Sequence, residues 1–199
     1  MRTTLRFILT GSASLLLANS VQADSPSYDC SKVASTSIEA LVCQSDELSA
    51  LDRQLAEVYA AARKKAVNAH PPTLKAEQRG WIKGRNDCWK ATDIPACVKL
   101  SYQSRIAELQ ALYRLLPGKG PFSFGCDGNP LNEVIVTFYP TEPPTLVAER
   151  GDRMGLLYQV RSASGAKYEG ENHLFWEHQG EARIRWGYQA AEMRCKKLP

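Results

Sequence analysis

The hydrophobic period of this chain changes once, at Pro117-Gly118-Lys119-Gly120-Pro121. Before that stretch apolar residues recur at helical spacing; after it they alternate or cluster with strand formers. A single segment cannot satisfy both periods, because side chains three or four apart share a helix face while those two apart share a strand face. The chain therefore reads as α+β in two domains: a helical unit over 24–116, a linker over 117–121, and seven or eight short antiparallel strands over 122–199 that suit a small β-barrel or sandwich.

In the first unit Leu48, Leu51, Leu55, Val58, Tyr59 and Ala62 fall on one helical face. Ser45 is a suitable N-cap, and Asp46 and Glu47 put negative charge where the helix dipole favours it. His70-Pro71-Pro72 ends that helix or turns the chain. A second stripe carries Leu74, Gln78, Trp81, Ile82, Arg85 and Trp89. A third starts near Ile94-Pro95 and continues through Val98, Tyr102, Ile106, Leu109, Leu112, Tyr113 and Leu116. With a short helix around Ser37–Cys43 this gives a compact bundle, with Trp81, Trp89, Tyr102 and Tyr113 expected in its core. Arg79, Lys83, Arg85 and Arg105 read as solvated faces or local ion pairs, each of small energetic weight. Nothing in the sequence places Asp52 and Glu108 together, so salt bridges are favoured over a carboxylate pair.

The second unit alternates cleanly at Ala182, Ile184 and Trp186 against Arg183 and Arg185. Leu174 and Trp176 alternate in the same way with Phe175 and Glu177. Glu133–Tyr139, Thr145–Glu149 and Gly155–Val160 supply further strands. Asp127-Gly128-Asn129-Pro130, Gly151-Asp152 and Gly170-Glu171-Asn172 supply the turns between them.

Six cysteines, an even number in a small chain, make disulfides the default. Cys126 and Cys195 lie near the two ends of the strand-rich unit, where a bond would staple its first strand to its last. Among Cys30, Cys43, Cys88 and Cys97 three pairings are possible; Cys30–Cys43 and Cys88–Cys97 are favoured because each closes a short local loop. No C-x-x-C pair occurs, and the histidines (His70, His173, His178) lack convergent partners, so no metal site and no cofactor is expected.

The N-terminus sets the expected compartment. Arg2 and Arg6 form a positive n-region, Phe7–Leu17 an apolar h-region, and Val21-Gln22-Ala23 a small-residue cleavage site. The expectation is a signal peptide over 1–23, cleaved after Ala23, and a periplasmic or secreted protein. The first cysteine, Cys30, stands well past that site, which speaks against a lipoprotein. The net charge of +4 falls to +2 once Arg2 and Arg6 are discounted, and no basic block of the kind nucleic-acid binding needs is present. No nucleophile–base arrangement is visible, so an enzyme is not expected.

The run Ser162-Ala163-Ser164-Gly165-Ala166-Lys167-Tyr168, followed by Phe175-Trp176 and Gly180-Glu181-Ala182, is the specific feature of the second unit. Taken alone, Ser164-Gly165 is an ordinary hairpin turn, Tyr168 and Trp176 are as readily core as contact residues, and His178 is an ordinary exposed histidine. With Phe124, Cys126 and Cys195 in register, these elements resemble the membrane-bound or periplasmic inhibitors of C-type lysozyme, a small eight-stranded barrel family. The first unit resembles the LprI-like family of small secreted four-cysteine helical domains. That resemblance rests on Tyr28-Asp29-Cys30, Ile38-Glu39-Ala40-Leu41-Val42-Cys43, Glu47-Leu48, Leu51-Asp52, Gln78-Arg79-Gly80-Trp81, Arg85-Asn86-Asp87-Cys88, Cys97 and Tyr102–Leu109.

The second resemblance implies a protein partner, C-type lysozyme, bound through Ser164, Gly165, Lys167, Tyr168 and His178. Ser164 would meet the enzyme's catalytic carboxyls, Gly165 would let the backbone approach, and Tyr168 would brace the loop. The family carries a Lys two residues after the Trp, where this chain has His178; Lys167 is the candidate replacement cation. A rival reading gives the work to the helical unit, as a cell-envelope chaperone or adaptor.

Overall fold

The computed structural model describes residues 25–68 and 72–199; the signal-peptide segment and His70-Pro71 lie outside the described residues. Helices α1 (Ile38–Cys43), α2 (Asp46–Lys65), α3 (Leu74–Asn86) and α4 (Ile94–Leu112) precede strands β1 (Lys119–Cys126), β2 (Asn129–Tyr139), β3 (Thr145–Arg150), β4 (Arg153–Val160), β5 (Ala166–Glu169), β6 (His173–His178), β7 (Glu181–Trp186) and β8 (Glu192–Lys197). The starts of α1, α2 and α4 are set by short polar side chains that satisfy first-turn N–H groups. Ser37 Oγ accepts from Ala40 N, Ser45 Oγ from Leu48 N, and Asp93 Oδ1 from Ala96 N.

Val42, Leu48, Leu55, Val98, Tyr102, Ile106 and Leu109 close the bundle core, and Cys30–Cys43 and Cys88–Cys97 are bonded. Two sequence expectations fail here. Trp89 lies in the 3-10 turn after α3 and is 65% exposed, because the turn carries it off the stripe that ends at Arg85. Arg85 and Arg105 are buried and not on solvated faces, at 4% and 3% exposure, although Arg105 does make the local ion pair, with Glu108.

Arg85 sits at the centre of a buried polar network. It donates to Tyr102 Oη (2.7 Å), to Asn86 Oδ1 (2.7 Å) and to Glu39. Tyr102 in turn donates to Asp52 Oδ1 (2.9 Å), whose other oxygen accepts from Ser27 N and Oγ. Asp52 and Glu108 are in separate places: Glu108 pairs with Arg105 at 2.9 Å.

The barrel closes through β1–β8 pairing, with Cys126 opposite and bonded to Cys195. β1 begins at Lys119, inside the Gly/Pro stretch. Edge-to-face rings fill the interior: Phe124–Phe175 at 5.4 Å, Phe138–Tyr168 at 5.5 Å and Phe138–Phe175 at 5.8 Å. On β6 the inner residue is Phe175, opposite core-facing Ile184 on β7, so Trp176 faces outward. In a two-residue period that register decides the face of every neighbour.

The two units are packed against each other. Residues Thr145–Ala148 of β3 are buried in succession, where a free-standing barrel strand would alternate. Leu146 and Ala148 enter the barrel core, while Val147 joins Tyr139 and Ala111 of α4 in a separate apolar cluster. Helix α4 therefore has two buried faces. Tyr102, Ile106 and Leu109 meet the bundle; Ala111 packs with Tyr139 and Val147 of the barrel, and Ser104, two turns earlier, offers its carbonyl to β4. Tyr158 of β4 donates to Ser104 O at 3.2 Å, and Arg114 pairs with Glu149 at 3.3 Å.

Candidate protein-binding site on the barrel

The β4–β5 connection, Arg161–Gly165, leaves the barrel rim with its turn held from three directions. Ser162 Oγ lies within hydrogen-bond reach of Ser164 O (3.1 Å) and Gly165 O (2.9 Å), so its one proton is shared between two carbonyls. From β6, Trp176 Nε1 donates to Ser164 O at 2.9 Å. The backbone of Ser164 is thus fixed while its side chain is exposed. Its hydroxyl has no hydrogen-bond partner among the described residues, so both its donor and its acceptor capacity are free.

Gly165 is required twice over. Its φ of +71° lies in the region L side chains rarely adopt, and a Cβ there would stand 2.1 Å from Glu177 O. The loop presses directly on the β6 backbone, and only a residue without a side chain permits that approach.

The other residues expected at the site divide. Tyr168 is buried at 7% exposure with its ring against Phe138, and burial holds its hydroxyl above the ordinary phenol range. It supports the loop from inside the barrel. Lys167 pairs with Glu169 at 2.6 Å, with its ammonium 5.9 Å from the Trp176 ring centre. That cation is already engaged on the barrel wall. His178 is exposed at the end of β6, paired across the ladder with Glu181, and lines the same groove as Ser164.

That groove, of about 950 Å3, runs from the Ser164 loop over Trp176 and across β7 and β8 to the β1–β2 turn. Its walls carry Arg183, Arg194 and Lys196, none of which the sequence reading assigned to the site. Arg183 was legible as an outward residue of β7. Its position next to Trp176 depends on the β6–β7 register, which no local pattern specifies. Among the described residues, no group of three or more His, Cys, Asp and Glu side chains is placed to hold a metal ion.

Comparison with known proteins gives two consecutive family matches. Residues 30–109 match the family described as "Lysozyme inhibitor LprI", and residues 124–193 the family described as "Membrane-bound lysozyme-inhibitor of c-type lysozyme". Relatives named "Lipoprotein LprI" from Mycobacterium bovis and Mycobacterium tuberculosis are 32% identical over 174 residues, covering 85% of this chain and 83% of theirs. Among solved structures, the crystal structure of Pseudomonas aeruginosa MliC in complex with hen egg white lysozyme is 22% identical. It covers 42% of this chain and 90% of that chain, with a TM-score of 0.31.

Proposed function

The chain belongs to the LprI family of lysozyme inhibitors, and from that premise we propose that it blocks C-type lysozyme by lodging the Ser164 loop in the catalytic cleft. The observation that carries this reading is the state of Ser164: a free, exposed hydroxyl on a backbone pinned by Trp176, Ser162 and Gly165.

A lysozyme cleft holds two carboxyls in different states, one kept protonated by its apolar surroundings and one ionised. A serine hydroxyl accepts from the first and donates to the second, so one side chain meets both. Because the loop is held before binding, little ordering entropy remains to be lost on association. Tyr168 acts as a brace within this scheme, and His178 stands beside the loop as a side chain able to hydrogen-bond the partner.

The protein acts as a binding protein in the cell envelope. Both relatives are named as lipoproteins, but here the first cysteine, Cys30, is bonded to Cys43 and all six cysteines are paired. This supports a form released from the membrane, since a lipid-bearing cysteine needs its sulfur.

Titration of the full chain against a C-type lysozyme in a cell-wall lysis assay tests the reading. Ser164→Ala is expected to weaken inhibition by roughly 10- to 100-fold, the value of about 1.5–3 kcal/mol for a hydrogen bond to a charged group. Gly165→Ala is expected to abolish it by displacing the loop. Undiminished inhibition by both variants would overturn the assignment.

A further inference from the structure

The outward residues of β5, β6, β7 and β8 form one row in register across the barrel wall. Lys167 stands opposite Trp176, Trp176 opposite Arg183, and Arg183 opposite Arg194. Directly paired side chains in antiparallel strands lie close enough to act as one surface. One side chain joins this row to the loop: Trp176 bonds Ser164 O through Nε1, and its ring carries the Arg183 guanidinium 5.8 Å from its centre. A single rigid indole therefore links the Ser164 backbone to Arg183.

Resting on the reading that the Ser164 loop enters the partner's cleft, we propose that Arg183 and Arg194 form a second recognition point, binding a carboxylate on an acidic polypeptide segment of the partner beside the cleft mouth. Lys167, the cation expected from the sequence, is less exposed and pairs with Glu169 at 2.6 Å, closer than Arg183 to Glu192. Arg194 has no ion-pair partner among the described residues, and Arg183 meets only Glu192, at 3.6 Å between exposed side chains. Such an exposed pair is readily exchanged for a better-placed carboxylate. Two guanidinium groups side by side offer the planar forks that carboxylates accept in bidentate fashion.

The surroundings select among anions. Glu181 and Glu192 flank the arginines on the same strands, and Glu181 also holds Lys196 at 3.4 Å. A polyanion laid along the groove would meet these carboxylates, whereas an isolated carboxylate placed between the two arginines would not.

The test uses the full chain in the lysis assay at low and high salt, with binding rates measured in parallel. Arg194→Glu and Arg183→Glu are each expected to weaken inhibition by about tenfold or more, largely through slower association, and to flatten the salt dependence. Arg194→Gln should lie between these and the parent chain. Arg153→Glu, at the exposed start of β4, is the charge-matched control and should inhibit like the parent. Parent-like inhibition by both charge reversals, with Ser164→Ala still impaired, would overturn this inference and leave the loop assignment standing. If Ser164→Ala is also silent, both fall. Polyphosphate binding that depends on Arg194, with lysozyme inhibition unchanged, would overturn the inference in favour of a polyanion site.

Discussion

The two halves of this molecule solve the problem of a small core in opposite ways. The helical half buries charge: Arg85, Asp52 and Tyr102 lie within it, joined to Glu39, Asn86 and Ser27. The barrel half buries rings and aliphatics, and keeps its arginines on the outer wall. A buried ion pair gains little over well-packed apolar residues, but removing one partner leaves an uncompensated charge. The helical half is therefore the brittle one, and most of its motif residues are committed to each other. In the barrel, the inward motif residues Phe124, Phe175 and Ala182 maintain the fold while the loop at Ser164 remains free for a partner. The motif residues are thus mostly internal structure in one half, whereas in the other they include an exposed loop at Ser164.

This contrast is sharpest at Arg85. Arg85→Ala is expected to destabilise the helical half by about 3–5 kcal/mol, because Glu39 and Tyr102 lose their donor inside the protein. Thermal unfolding checks this, and a loss no larger than that of an exposed ion pair would break the comparison. The disulfides come next. Removing Cys126–Cys195, which spans 69 residues, is expected to cost about 4 kcal/mol, against about 2.5 kcal/mol for Cys88–Cys97, which spans 9. Denaturant titration of the paired serine variants gives the order, and the reverse order would show the barrel to be closed adequately by its strand pairing.

The smallest effect probes the seam between the halves. Tyr158→Phe removes the bond to Ser104 O and is expected to cost about 1 kcal/mol. Burial first, and the nearby Glu108 second, push the Tyr158 hydroxyl from 10.0 up to about 12. A phenol whose pKa is raised on folding contributes stability that is complete below pH 10 and is lost as the pH rises towards 12. Tyr28 of the helical half is raised to about 12 as well, again mainly by burial. Unfolding measured from pH 9 to 12 should therefore show a decline that Tyr158→Phe and Tyr28→Phe each reduce in part.

Much of this was legible because it is local. Ser37 and Ser45 cap their helices, Asp127-Gly128 and Gly151 make turns at positive φ, and the cysteines nearest in sequence pair. The burial of Arg85 and Arg105 was not legible. An arginine on a helical stripe reads as a boundary residue until its distant partners, Tyr102 and Gln78, are known. The second face of α4 was hidden for a related reason. Ser104 and Ala111 are too small to register as an apolar stripe, and only their contacts with the barrel give them meaning.

At the site itself, the sequence alone determined the loop: a serine, a glycine that must tolerate left-handed backbone, and a tryptophan on the following strand. Those are properties of a few adjacent residues and of one hairpin. Only the tertiary structure decided which side chains share the wall with it. Strand register sends Phe175 inward and Trp176 outward, sets Arg183 beside the indole, and sets Arg194 next along the row. Register is fixed by pairing along the whole barrel, and a shift of one residue would turn every one of those side chains to the other face.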